Sequence, residues 1–383
     1  PKRQIEALSK TINILDNRKL EMAQDFATAI FRLCLNILSS HSEGVKVHAL
    51  ECISKLPTHS DMIHTFRESS TFTRCMVSFT RKTEPKEVRL FALKTLLWCR
   101  DYIVEDNPRS VRKSLSIIRE NLYDPDSEIV RGTAKFIEYF MRSGEDEEFA
   151  EEVCNVFEDN AMLPYVAELL NKDNLLQQAG ILIWKAFAGS PAGEYFILDH
   201  FDELGVWDKV AGFISNRENL KLQELSLVLL TELYDNVTHI PTKVLDSVNS
   251  LAREKDLSVK VKAKLHSAII ALFRSKDYCW IESLLKDQVL VQFMMATLSD
   301  SNTKPYVQHD IIHSLKRLIK VGESRKEPHA RRNPFCQMLY ENIDVISLVT
   351  LMSKPFPENS LVPLYTKKLL CCIDSGCIEY LTM

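Results

Sequence analysis

His309 and His313 stand one helical turn apart, the nearest this chain comes to a metal-binding spacing. In His309-Asp-Ile-Ile-His313 the two imidazoles share a helix face, as they do in the H-E-x-x-H zinc helix. That helix uses a glutamate as general base, whereas Asp310 has the shorter reach, and no further ligand follows at a fixed spacing. Cys371 and Cys372 are adjacent, and neighbouring helix positions diverge by about 100°, so they do not share one tetrahedral metal with Cys377. The carboxylates of Glu145-Asp-Glu-Glu148 and Glu151-Glu152 lie in a run too polar to be buried. A general acid needs the raised pKa that burial gives; here the acids suit a solvated helix start, favoured by the dipole. The chain holds no G-x-G-x-x-G, no G-x-x-x-x-G-K-[ST] and no G-x-S-x-G, so nucleotide-binding loops and an elbow serine are excluded. No catalytic, cofactor-binding or metal residue is assigned, and the chain reads as a non-enzyme.

The most unusual composition is basic: Lys316-Arg317-Leu-Ile-Lys320, then Arg325-Lys326, then Arg331-Arg332. It includes a polar stretch over 322–333, longer than most connections between helices, and such loops are either functional or solvated. A mobile insertion is the first expectation and a partner contact the second, ahead of a nuclear-import signal or a phosphate-binding patch. Aromatic residues are not interleaved with these charges along the sequence, so base stacking is not expected. The whole chain carries a formal net charge of −4, which gives no global pull toward nucleic acid or an anionic membrane.

Positioning such residues needs a scaffold, and the sequence builds one by repetition. A short apolar-basic signature returns seven times: Val45–Ala49, Val88–Ala92, Val130–Ala134, Leu175–Ala179, Leu220–Glu224, Val259–Ala263 and Val307–Ile311. Successive anchors lie 43, 42, 45, 45, 39 and 48 residues apart, the period of two- or three-helix solenoid units. An eighth anchor falls near Leu361. Amphipathic stretches precede the anchors at Phe26 to Leu38, Val111 to Leu122, Val244 to Leu251 and Val345 to Met352, with apolar residues at helical spacing. Asn107-Pro108, Asp256 with Ser258, and Thr303 with Pro305 supply helix-start chemistry. Hydrophobic residues make up 45% of the chain and glycines number only 10, which suits stacked helices. The small residue one turn after each anchor lets two helices approach closely; Ala49, Ala92, Ala134, Ala179 and Ala263 fit that role, and Glu224 and Ile311 depart from it.

Ten cysteines, most of them among apolar residues, behave as small core hydrophobes and point to a reducing compartment, cytoplasmic or nuclear. No run of 18 apolar residues is present, so no membrane span is expected. The chain starts at Pro1 and ends at Met383 without polar capping units. It is therefore expected to belong to a longer protein.

The order of a short helix followed by two longer ones, as in Tyr195 to Ile197, Val206 to Ile214 and then Leu220, resembles the armadillo unit. The tighter hairpin at Val130 resembles a HEAT unit. The resemblance covers roughly residues 20 to 375 and implies an all-α, right-handed solenoid of seven to eight repeats, forming one domain over residues 1–383. It further implies a noncatalytic scaffold or adaptor that holds one or more partner proteins on an extended concave face. Candidate partner-binding residues are Lys46, Arg89, Arg131, Lys221 and Lys260, which follow the anchors, with Trp184, and with Lys316, Arg317, Arg325, Lys326, Arg331 and Arg332 of the basic region. Acidic residues stand just before most anchors (Glu43, Glu87, Asp126, Glu128, Asp173, Glu218, Asp256), so pairing between neighbouring units competes with a ligand stripe. Importin-type armadillo proteins follow a tryptophan with asparagine four residues on. Here Ala188 follows Trp184 and Tyr102 follows Trp98, against recognition of nuclear-localisation peptides. The alternative function is nucleic-acid binding, through Lys260, Lys262 and Lys264 and through residues 316–332.

Overall fold

The computed structural model describes residues 1–16, 23–40, 42–56, 70–98, 115–142, 147–159, 161–194, 200–234, 240–274, 287–300, 303–324, 333–342 and 362–375. Among them every regular element is helical, and the chain divides into two compact units, Pro1–His200 and Phe201–Met383. The expected helix at 345–352, and the residues Trp98 to Asn107 around the expected helix start at Asn107, have side chains outside the described set. Arg325, Lys326, Arg331 and Arg332 lie outside it as well.

The first unit holds α1 (Lys2–Leu15), α2 (Gln24–Ile37), α3 (Glu43–Lys55), α4 (Ser70–Phe79), α5 (Lys86–Trp98), α6 (Leu115–Leu122), α7 (Ser127–Arg142), α8 (Glu147–Asp159), α9 (Leu163–Leu169) and α10 (Asn174–Ala188). One row of helices packs in series, α1 on α3, α3 on α5, α5 on α7 and α7 on α10. A second row covers it, with α2 on α3, α4 on α5, α6 on α7 and α9 on α10. The second unit holds α11 (Val206–Ser215), α12 (Leu220–Leu233), α13 (Thr242–Ala252), α14 (Val259–Arg274), α15 (Val289–Ser299), α16 (Pro305–Ser324), α17 (Pro334–Asn342) and α18 (Val362–Ser375). Its inner row runs α12, α14, α16, α18, and its covering row runs α11, α13, α15, α17.

The register of the inner rows is set at their first turns. The carbonyls of Ser42, Pro85, Asp126, Asp173, Asn219, Ser258 and Lys304 each accept the N–H four residues on, at Lys46, Arg89, Val130, Gln177, Gln223, Lys262 and Gln308. Four of these helices add a side-chain cap to the third position. Asp126 accepts from Ile129 at 3.4 Å, Asp173 from Leu176 at 3.2 Å, Asn219 from Leu222 at 3.2 Å and Ser258 from Val261 at 3.2 Å. Each cap satisfies a donor that the first turn would leave unbonded. The third residue after the cap faces inward: Val45, Val88, Ile129, Leu222 and Val261 are fully buried, and Leu176 and Val307 half-buried.

This register corrects several expected anchors. Val45, Val88 and Val307 coincide with it, Val130 falls one residue late, Leu175 one early, and Leu220 and Val259 two early. Val259 is 85% exposed and Leu220 49% exposed, and Ala263 faces solvent instead of packing a helix pair. The segment Val259-Lys-Val-Lys-Ala-Lys-Leu265 offers two valine-lysine steps two residues apart, which lie on opposite sides of a helix. Ser258 selects the second, and Val261 with Leu265 forms the buried pair. Ala49, Ala92, Ala134 and Ala179 are fully buried as expected. Ile311 is buried too, so at that repeat a larger side chain fills the same place.

The polar stretch expected over 322–333 is structured at both ends. α16 runs to Ser324, and Asn333 is a fully buried cap for α17. Its Oδ1 accepts from the N–H groups of Phe335 at 2.9 Å and Cys336 at 3.3 Å, while its Nδ2 donates to the Ile319 carbonyl at 2.7 Å and to Glu323 Oε2 at 3.1 Å. Gly322 makes room for this: a Cβ there would stand 2.5 Å from Asn333 Oδ1 and 2.5 Å from the Phe335 ring.

Candidate docking surface

Four residues after the cap, the inner-row helices carry a polar side chain at six of seven places: Lys46, Arg89, Gln177, Gln223, Lys262 and Gln308, with Val130 the exception. Five of these reach neighbouring backbone or the connection ahead of the next inner helix. Lys46 Nζ pairs with Glu84 at 3.0 Å, before α5. Arg89 pairs with Asp124 at 2.7 Å, before α7, and donates to Asn121 Oδ1 at 2.6 Å and to the Thr80 carbonyl at 3.3 Å. Lys262 lies 3.7 Å from Asp300, before α16. Gln223 and Gln308 use neutral amides instead, donating to the carbonyls of Ile214 at 2.7 Å and Leu298 at 3.3 Å.

Further pairs join residues 34 to 47 apart in sequence, about one repeat. They are Lys55 with Asp16, Lys185 with Glu138, Lys243 with Asp208 and Arg253 with Asp287. Lys86 meets Asp126 at 2.5 Å, Arg217 meets Glu254 at 2.7 Å and Arg274 meets Asp310 at 3.7 Å. These cations hold repeat to repeat; of the acids expected to pair ahead of the anchors, Asp126 and Glu128 do so, both with Lys86, and the other partners are different acids. Among the described residues the Arg89–Asp124 pair is the most buried, with side chains 7% and 5% exposed.

The candidate binding residues therefore separate by position. Lys46 and Arg89 are engaged in pairs. Arg131 is half-buried, and its Nε makes no hydrogen bond among the described residues. Trp184, expected as an accessible anchor, is fully buried and packs edge-on to Phe187, their centroids 6.1 Å apart; α10 is enclosed continuously from Gln178 to Ala188. Lys221 and Lys260 belong to the displaced register. Lys221 is exposed and meets Glu224 on its own helix at 3.6 Å, and Lys260 is exposed with no ion pair among the described residues.

Lys316 and Arg317 occupy a different setting. On α16 the buried residues Gln308, Ile311, Ile312, Leu315, Leu318 and Ile319 make one face. Tyr306, His309, His313, Lys316 and Lys320 recur at three and four on the opposite face. Tyr306 is 63% exposed. α18 brings Tyr365 alongside: its ring lies 4.3 Å from Lys316 Nζ and 5.7 Å from the His309 ring. The imidazoles of His309 and His313 stack with centroids 6.4 Å apart. Burial lowers the pKa of His313, helped by Arg274, Lys316, His309 and Lys320. Lys316 is lowered too, first by burial and then by Lys320 and Lys368. Among the described residues, the charged neighbours acting on these two groups are cations and an imidazole.

The aromatic ring that the basic stretch itself lacks is supplied here by α18. Tyr365 follows Lys316 by almost a repeat and reaches it only through the packing of α18 on α16. The histidine pair remains two ligands on one helix, and no group of three histidine, cysteine or acidic residues fit to hold a metal ion occurs among the described residues. Cys371 and Cys372 diverge as expected: Cys372 is buried with its Sγ 3.9 Å from that of Cys336 on α17. No described helix is long and apolar enough to cross a membrane.

Similar architectures occur among solved structures. An engineered protein from the Northeast Structural Genomics Consortium matches with a TM-score of 0.58 at 13% identity, covering 98% of this chain and 96% of that one. Two more engineered proteins from the same consortium match at 13% identity with TM-scores of 0.49 and 0.45; they cover 64% and 76% of this chain, and 96% and 98% of their own. The first likeness concerns the fold alone: an all-α chain of helices packed as repeats. No family model and no curated protein matches the sequence.

Proposed function

We propose that this chain is a noncatalytic protein-interaction scaffold, or an adaptor subunit of a larger complex, whose helix pairs are repeats of the right-handed armadillo/HEAT type. The observation carrying the proposal is the exposed face of α16, where aromatic, imidazole and lysine side chains are presented together and are not consumed by the inter-repeat pairing. Tyrosine is among the residues that dominate protein–protein contacts, and Tyr306 and Tyr365 supply it here. The absence of disulfides among the described cysteines is in keeping with a cytoplasmic or nuclear setting.

A scan with a photo-crosslinking amino acid at exposed positions in both units, including Lys82, Lys260 and Tyr306, tests this reading in the native cell. Discrete adducts with one or a few proteins are expected from at least one position. A chain that stays uncrosslinked at every position, and monomeric in native extracts, would contradict it.

Nucleic-acid binding is the second reading, supported by Tyr306 and Tyr365 beside Lys304 and Lys316, since aromatic rings and cations together bind single strands. Its check is oligonucleotide binding at low and at moderate salt, which must weaken steeply as salt rises.

A further inference from the structure

We propose that the α16–α18 face binds an extended, Asp/Glu-rich segment of a partner protein, its carboxylates met by Lys316, Lys320 and Lys368 and its backbone lying along Tyr306, His309 and Tyr365. This rests on the interaction-scaffold reading and names the chemistry of the partner.

The stripe is linear and of definite length. From His309 to Lys320 it covers eleven helical steps, about 16 Å, which matches roughly five residues of extended peptide. Lys316 is half-buried over the Tyr365 ring, which fixes its ammonium beside an aromatic surface and limits the entropy lost on binding. Lys316, Lys320 and Lys368 form no ion pair among the described residues, unlike Lys46, Arg89 and Lys262 in the repeat ladder. The carboxylates at the margins are engaged. Asp310 lies 3.7 Å from Arg274 of α14 and 3.5 Å from His309, and Glu323 accepts from Asn333. Three lysines clustered without counter-ions repel one another, and a ligand that brings carboxylates relieves that repulsion.

A peptide fits this face better than a nucleic-acid strand. Three lysines at half a helix length neutralise few phosphates, a small electrostatic footprint for a polyanion. His313 adds little charge near neutral pH, since burial and its cationic neighbours shift it toward its neutral form. The chain as a whole is acidic, with a net charge of −4.

Fluorescence anisotropy on the full chain tests the proposal, using a short labelled Glu/Asp-rich peptide, a Gln-rich peptide of equal length and a single-stranded oligothymidylate. The acidic peptide is expected to bind with an affinity that falls as salt rises, and the neutral peptide to bind far more weakly. Lys316→Glu with Lys320→Glu should lower acidic-peptide affinity by about tenfold or more. Lys82→Glu with Lys255→Glu, an equal change of charge at exposed sites elsewhere, should leave it within about twofold. The milder Lys316→Gln with Lys320→Gln pair, checked by an unchanged thermal melt, guards against loss of fold. Equal losses in the two Glu pairs, tighter binding of the oligonucleotide than of the peptide, or no acidic-peptide binding at low salt would each overturn the proposal. If that happens while crosslinks still form at Lys82 or Lys260, the scaffold reading stands and only the acidic segment is withdrawn.

Discussion

The cations of α5 and of α16 set a use seen in the structure beside a use proposed above. Arg89 is enclosed, with Asp124, Asn121 and the Thr80 carbonyl arranged around its guanidinium. Lys316 sits on the outward side of its helix among Lys320, Lys368 and His313, with an aromatic ring beneath it. A planar guanidinium suits a fixed set of acceptors, and a lysine on a long stem suits a ligand that arrives later. Position within the helix decides which use applies: Arg89 is the fourth residue after its cap and points between repeats, whereas Lys316 lies on the face opposite the buried row.

The largest effect is expected from breaking the enclosed pair. Arg89→Met leaves Asp124 buried and unpaired and should cost about 3–5 kcal/mol, while Arg89→Met with Asp124→Leu should recover most of that loss. Chemical denaturation of the single and double variants checks this. Ala92→Asp, on the same helix at a fully buried position, should cost several kcal/mol for reasons of crowding and charge.

A second contrast lies within unit 2, where His266 is buried and His313 open. Burial, together with Lys262, lowers the His266 pKa to about 4, and its Nε2 is bonded to Thr297. The folded state therefore keeps this imidazole neutral where the unfolded chain would protonate it. The unfolded state binds more protons between pH 6.5 and about 4, so stability rises with pH across that window. It is fully present above the window and falls on acidification, by on the order of 3 kcal/mol in all. The pH dependence of the melting temperature should flatten in His266→Asn.

Smaller effects sharpen the picture of the α16–α17 connection. Asn333→Ala removes a buried cap and leaves two N–H groups without their acceptor, an expected cost of about 1–2 kcal/mol by denaturation. Gly322→Ala should destabilise as well, since its Cβ meets Asn333 and Phe335. The smallest effect belongs to Lys316→Gln, within about 0.5 kcal/mol, because removing one of several like charges relieves as much as it costs.

Periodicity made the helical repeats legible, since apolar residues at three and four leave few other folds. The register at α14 was not legible, because Val259 and Val261 each begin a valine-lysine step and only the Ser258 cap tells them apart. Burial of Trp184 also escaped notice. α10 is apolar nearly all round, from Gly180 to Ala188 with Lys185 the exception, and a helix of that kind is enclosed and has no exposed face. That signal was present in the sequence. The Tyr365–Lys316 contact had no local signal at all, since it joins helices almost fifty residues apart.

Thermal melts of two matched variants test the central claim, that repeat-register cations hold the fold while those of the α16 face are held for a ligand. Arg89→Met should lower the transition of its unit by roughly 6–12 °C, and Lys316→Met with Lys320→Met should leave its transition nearly unmoved while weakening acidic-peptide binding severalfold. An unchanged melt for Arg89→Met, or a large loss of stability from the Lys316 and Lys320 pair, would contradict the account.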